Sequence, residues 1–140
     1  MKSVITSKQI IELLRKKHQH PWCFFDECKT GTAFKKISRT RIDAWTINTY
    51  PSSKHHKIAY EIKVNRQDFL NELKTPNKRK ESLKLSNQFY FICSIGVVKL
   101  LEEIPEECGY IEVNEALQMK VIKEAPFRIC KDPTWLFYHQ

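Results

Sequence analysis

Asp43, Glu61 and Lys63 are the residues whose types and spacing could do chemistry together. Glu61 and Lys63 lie in the run Tyr60-Glu61-Ile62-Lys63-Val64, and Asp43 lies in Arg41-Ile42-Asp43-Ala44-Trp45. Both runs alternate as half-buried strands do, with successive side chains on opposite faces. Glu61 and Lys63 then share one face, while Ile58, Tyr60, Ile62 and Val64 share the other. Upstream, Ile42, Ala44 and Thr46 oppose Arg41, Asp43 and Trp45. Tyr50-Pro51-Ser52-Ser53 reads as a turn between the runs. A hairpin folded symmetrically about Ser52 sets Asp43 opposite Glu61, Ile42 opposite Ile62 and Ala44 opposite Tyr60. The apolar partners then match on one face. The other face carries two cross-strand carboxylates about 5 Å apart at Cβ. Like charges so placed repel unless something positive lies between them, and a divalent metal is the plainest candidate. Lys63 stands one pleat further along. Glu and Lys at alternate positions of an exposed strand are common, so the weight rests on Asp43 falling in register. A one-residue bulge in the turn would spoil that register.

The neighbouring elements must hold this hairpin. Thr6 with Gln9 three residues on makes a capping box, and Ile10, Leu13, Leu14 and Lys17 continue it as a helical stripe. His18 to Pro21 ends that helix, and Trp22 to Asp26 reads as the first strand. Cys28 to Lys36 reads as a loop. Ser38 to Asn48 and His56 to Val64 form the hairpin. Asn65 to Asp68 starts a second helix with Phe69, Leu70 and Leu73 on its apolar side. Thr75-Pro76 predicts a helix restart through about Ser86, anchored by Leu83. Phe89 to Cys93 is a continuous apolar run, expected for a strand buried on both faces and parallel to an earlier one. Gly109 to Val113 and Met119 to Lys123 are expected as a second, more exposed pair. The aromatic tail Trp135 to Tyr138 should dock on the body.

The chain has 140 residues, 41% hydrophobic and 11% aromatic, enough for one α/β domain over 1–140. It has no run of about 18 apolar residues and no apolar signal core after Met1, so a cytoplasmic protein with no membrane partner is expected. Lys and Arg exceed Asp and Glu by 24 − 16 = +8, which favours a polyanionic partner, nucleic acid first. Five cysteines form no C-x-x-C pair and read as free thiols. A zinc site from Cys23, Cys28, His55 and His56 would need spacing unlike the common patterns.

The order of elements, with Asp on the second strand and Glu-x-Lys on the third, resembles the restriction-endonuclease-like (PD-(D/E)xK) nuclease superfamily. Arg41 to Trp45, Tyr60 to Phe69 and Ser86 to Ile92 are similar to its MmcB-like branch, linked with bacterial DNA repair and also found in phages. Glu72-Leu73-Lys74-x-Pro76-x-Lys78-Arg79 fits that branch as well, and the match runs from about Gly31 to Val113. Ile42 stands where the superfamily's name places a proline. In some branches a glutamate on the first helix completes the metal site; Glu12 is the candidate here, though its helical phase suits a solvated residue.

The resemblance implies a restriction-endonuclease-like core, a mixed central sheet with flanking helices in αβββαβ order, plus a C-terminal β hairpin. It implies a Mg²⁺-dependent deoxyribonuclease, Mn²⁺ substituting, from a bacterial or phage cytoplasm, with no small-molecule cofactor. Asp43 and Glu61 would bind the metal, with the Ile62 carbonyl as a further ligand, and Lys63 would act on the attacking water or the developing charge. Arg41, Arg66, Lys74, Lys78 and Arg79 would contact DNA phosphates. Trp45 would stack on a base or pack in the core. Many members of the superfamily act as dimers, so a homodimer is compatible with it. A non-catalytic DNA-binding module on the same fold, or a protein-interaction factor, are the rival readings.

Overall fold

The computed structural model describes residues 4–29 and 41–130. The expected loop and strand start before Arg41, and the docking of Trp135 to Tyr138, lie outside the described residues. Helix α1 (Ser7–Lys17) leads into strands β1 (Trp22–Lys29), β2 (Arg41–Asn48) and β3 (Lys57–Lys63). Helices α2 (Arg66–Leu73) and α3 (Lys80–Lys84) then cross over to β4 (Gln88–Ser94), followed by β5 (Gly109–Val113) and β6 (Met119–Lys123). The strands form one six-stranded mixed sheet in chain order. β1, β2 and β3 are antiparallel, β3, β4 and β5 parallel, and β6 runs antiparallel to β5. Among the described residues no helix is long and apolar enough to cross a membrane.

Local chemistry explains the placement. Thr6 Oγ1 accepts from the Gln9 amide at 3.1 Å and the Thr6 amide donates to Gln9 Oε1 at 2.9 Å, the reciprocal cap that fixes the start of α1. Ile10 and Leu14 then reach the core. The hairpin register is the expected one: Ala44 faces Tyr60, Trp45 faces Ala59 and Thr46 faces Ile58. Strand parity divides the core into two layers. Trp45, Ala59, Phe69, Phe89, Phe91 and Cys93 pack on the α2 side, and Ile10, Leu14, Tyr60, Ile62, Tyr90 and Ile92 on the α1 side. Every residue of β4 is buried, as a strand covered on both faces should be. His18 caps the far end of α1 and its Nε2 lies 2.6 Å from the Tyr60 hydroxyl. Burial, then the positive Lys17 and His56, lowers the His18 imidazolium to about 4.

Three expectations are corrected. β5 is buried and joins the main sheet beside β4; β6 alone of that pair is exposed, with Val121 and Ile122 open to water. The helix after Pro76 splits into a 3-10 turn (Pro76–Arg79) and the short α3, because Thr75 does not cap it. Thr75 Oγ1 bonds backward to the Asn71 and Glu72 carbonyls instead. β1 continues past Asp26 to Lys29, pairing with β2 to Arg41.

Candidate active site at the end of the β2–β3 ladder

The β2–β3 ladder ends at Ala44 and Tyr60, and Asp43 continues the pairing with its side chain. Its Oδ2 accepts the Ile62 amide at 2.9 Å. This bond fixes the carboxylate close enough to Glu61 for the two to act on each other. Lys63 Nζ lies 3.2 Å from Glu61 Oε2 and 3.3 Å from Glu72 Oε1. The side chains of Glu61, Lys63 and Glu72 are 14%, 16% and 7% exposed, so these charges act largely out of water.

Burial, then the negative Asp43 and Glu72, pushes the Glu61 carboxyl up to about 9, against the pull of Lys63. Burial alone would lower the Lys63 ammonium, but Glu61 and Glu72 outweigh it and raise it. A cavity of about 230 Å³ opens beside these groups, lined by Asp43, Glu61, Ile62, Lys63, Arg41, Glu27, Ser7 and Ile11. The first turns of α1 thus form one wall. The catalytic trio read from the sequence converges here, together with Ile62 and Arg41.

The other expected site residues divide. Arg41 Nη2 pairs with Glu27 Oε1 at 3.0 Å on the cavity rim. Glu27 has a φ of 53°, a left-handed conformation that costs a non-glycine residue on the order of 1 kcal/mol or more. Lys74 and Lys78 are exposed and lie outside the cavity lining. Arg66 is engaged elsewhere: its guanidinium meets Glu103 at 2.7 and 3.2 Å and the Val97 carbonyl at 2.7 Å. Arg79 turns inward, 5% exposed, with Nη1 on the Glu72 carbonyl and its Cζ 5.7 Å from the centre of the Phe91 ring. In these positions Arg66 and Arg79 tie parts of the body together. Trp45 belongs to the core, fully buried, with Nε1 donating to the Leu85 carbonyl at 2.9 Å. Glu12 pairs with Arg15 at 3.5 Å and does not line the cavity. His55 and His56 bond to the Asn48 carbonyl and to Gln88.

Glu72 was missed as a site residue. Its signal was helical phase: it follows Phe69 by three positions, which puts an acid on the buried side of α2. Glu27 carried no comparable signal, since a strained backbone brings it to the rim.

The donor set fits a hard cation. Among the described residues no cluster of three or more His, Cys, Asp or Glu side chains is arranged to hold a metal. Two carboxylates at an open cavity nevertheless suit Mg²⁺, which keeps several waters and takes further oxygens from a phosphate. A cation would also relieve the crowding that holds a proton on Glu61. Comparisons with family models, with curated proteins and with solved structures each give no match.

Proposed function

We propose that this chain is a metal-dependent nuclease that hydrolyses DNA phosphodiester bonds on a restriction-endonuclease-like core, of the MmcB-like kind, in bacterial DNA repair or phage DNA metabolism. The observation that carries the reading is the meeting of Asp43, Glu61 and Lys63 at one cavity. Asp43 and Glu61 would hold Mg²⁺, or Mn²⁺ in its place. When bound, the ion supplies charge neutralisation at the phosphate and a more acidic water. Asp43 is held for this by the Ile62 amide. Lys63 has three N–H donors, two of which go to Glu61 and Glu72. The third serves the attacking water or the negative charge that develops on the phosphate. Arg41 at the rim offers a cation to a neighbouring phosphate, and Lys74 and Lys78 offer sequence-independent contacts further out.

The test is cleavage of single-stranded, duplex and branched DNA with Mg²⁺ or Mn²⁺. Cutting of at least one form should appear with metal, stop in chelator, and stop in Lys63→Ala. No cutting of any form with either metal would end the nuclease reading. The net charge of +8 favours one second reading, a non-catalytic DNA-binding module. Salt-dependent DNA binding without metal-dependent cutting would establish that alternative.

A further inference from the structure

We propose that Glu72 is the positioning residue of this site: it holds the Lys63 ammonium in place while Glu61 is committed to the metal. The inference rests on the nuclease reading for its chemistry and on the metal-free geometry for its evidence. Lys63 sits between two carboxylates at nearly equal distances, 3.2 Å to Glu61 and 3.3 Å to Glu72. These two partners are not equivalent in use. With a cation held by Asp43 and Glu61, Glu61 would have less charge left for the ammonium beside it. Glu72 then remains to hold Lys63 aimed at the cavity.

The placement of Glu72 supports that task. Its side chain is buried on the inner side of α2, next to core residue Phe69, where an apolar residue would pack without desolvating a charge. Its backbone is pinned, since the Glu72 carbonyl accepts from Arg79 Nη1 at 3.2 Å and from Thr75 Oγ1 at 3.3 Å. Breaking a buried pair on one side leaves the other charge uncompensated, so Lys63 and Glu72 constrain each other. The Lys63 ammonium also bridges Glu61 and Glu72, so a cation shared by those two would have to displace it.

The experiment compares Glu72→Gln, Glu72→Asp and Glu61→Gln with the wild type. Three quantities are read: Mn²⁺ affinity by calorimetry, steady-state cleavage with Mg²⁺, and Lys63 side-chain order from ¹³Cε relaxation in chelator. Wild type should bind Mn²⁺. Glu72→Gln should bind Mn²⁺ with near-unchanged affinity, while its kcat falls by on the order of 100-fold at an unchanged KM. Its Lys63 methylenes should become mobile. Glu72→Asp, which keeps the charge, should recover part of kcat and part of the order, which a merely structural role would not produce. Glu61→Gln should lose Mn²⁺ yet keep Lys63 ordered. Loss of Mn²⁺ in Glu72→Gln equal to that in Glu61→Gln would make Glu72 a ligand and overturn the proposal. So would wild-type kcat and Lys63 order in Glu72→Gln. If the wild type neither binds Mn²⁺ nor cuts DNA, the nuclease reading fails, and the relaxation data alone decide whether Glu72 holds Lys63. Should Glu72→Gln not fold, Glu72→Met fills the same space without charge and is read the same way.

Discussion

Replacing Glu61 by glutamine should stabilise the metal-free protein, and increasingly so as pH rises. Burial and the neighbouring Asp43 and Glu72 raise the Glu61 carboxyl from about 4.5 in the unfolded chain to about 9 in the folded one. A group raised in this way contributes stability that is fully present below the unfolded value and is lost as pH climbs through the folded value. Between those limits each pH unit removes about 1.4 kcal/mol. From pH 6.5 to pH 8 the wild type should therefore lose about 2 kcal/mol that Glu61→Gln does not. Glutamine keeps the shape and can donate to Asp43, but it does not ionise. For a domain of this size 2 kcal/mol corresponds to roughly 6 °C in melting temperature. The assay is thermal unfolding of both proteins in chelator across that pH range, with the difference between them as the readout, so that titrations common to both cancel. With Mg²⁺ in place of chelator the difference should shrink, because the ionised carboxylate then has a cation to meet. A difference that stays constant with pH would show Glu61 ionised throughout, held by Lys63, and would refute the crowding argument.

Further outcomes follow from other parts of the molecule. His18 is lowered from 6.5 to about 4, so its contribution is present above 6.5 and is lost as pH falls through 4; about 3 kcal/mol should disappear across that window, and denaturant unfolding of His18→Asn should show a flatter acid limb. Gly109→Ala should destabilise by about 3 kcal/mol, since a Cβ there would lie 2.5 Å from the Tyr90 ring and 2.6 Å from the Ala125 amide nitrogen; a melt within 1 °C of wild type would contradict that packing. Lys74→Ala with Lys78→Ala should weaken DNA binding and flatten its salt slope by about one unit for each phosphate that these lysines neutralise, and an unchanged slope would remove both from the interface.

The hairpin was legible because two independent signals agreed. Turn chemistry fixed its centre near Ser52, and apolar alternation fixed which face was buried, so the Ala44–Tyr60 register emerged from the sequence. The capping box of α1 was legible for the same reason, as reciprocal side chains at fixed spacing. The cationic residues were harder to place. Arg66 and Arg79 have the same sequence character as Lys74 and Lys78, yet Glu103 captures one and the Phe91 ring the other, partners that lie 37 and 12 residues away in the chain. Trp45 sits on the same alternating side as Asp43, but a carbonyl of Leu85 waits for its indole N–H. Whether β5 joins the sheet or forms a separate pair is set by the edge that β4 offers, and no local pattern carries that information.

Chain order and sheet order coincide in this molecule, so each strand lies beside the one synthesised just before it. Among the described residues no strand has to be inserted between two that are already paired. Every described residue around the cavity, and Glu72 behind it, is delivered by position 73, the end of α2. β4, β5 and β6 then add to one growing margin, away from the carboxylates. The two margins of the sheet are therefore unequal in consequence. A strand or fused domain added beside β6 extends the sheet on the side remote from the site. The same addition beside β1 would adjoin the strand that carries Glu27, part of the cavity lining.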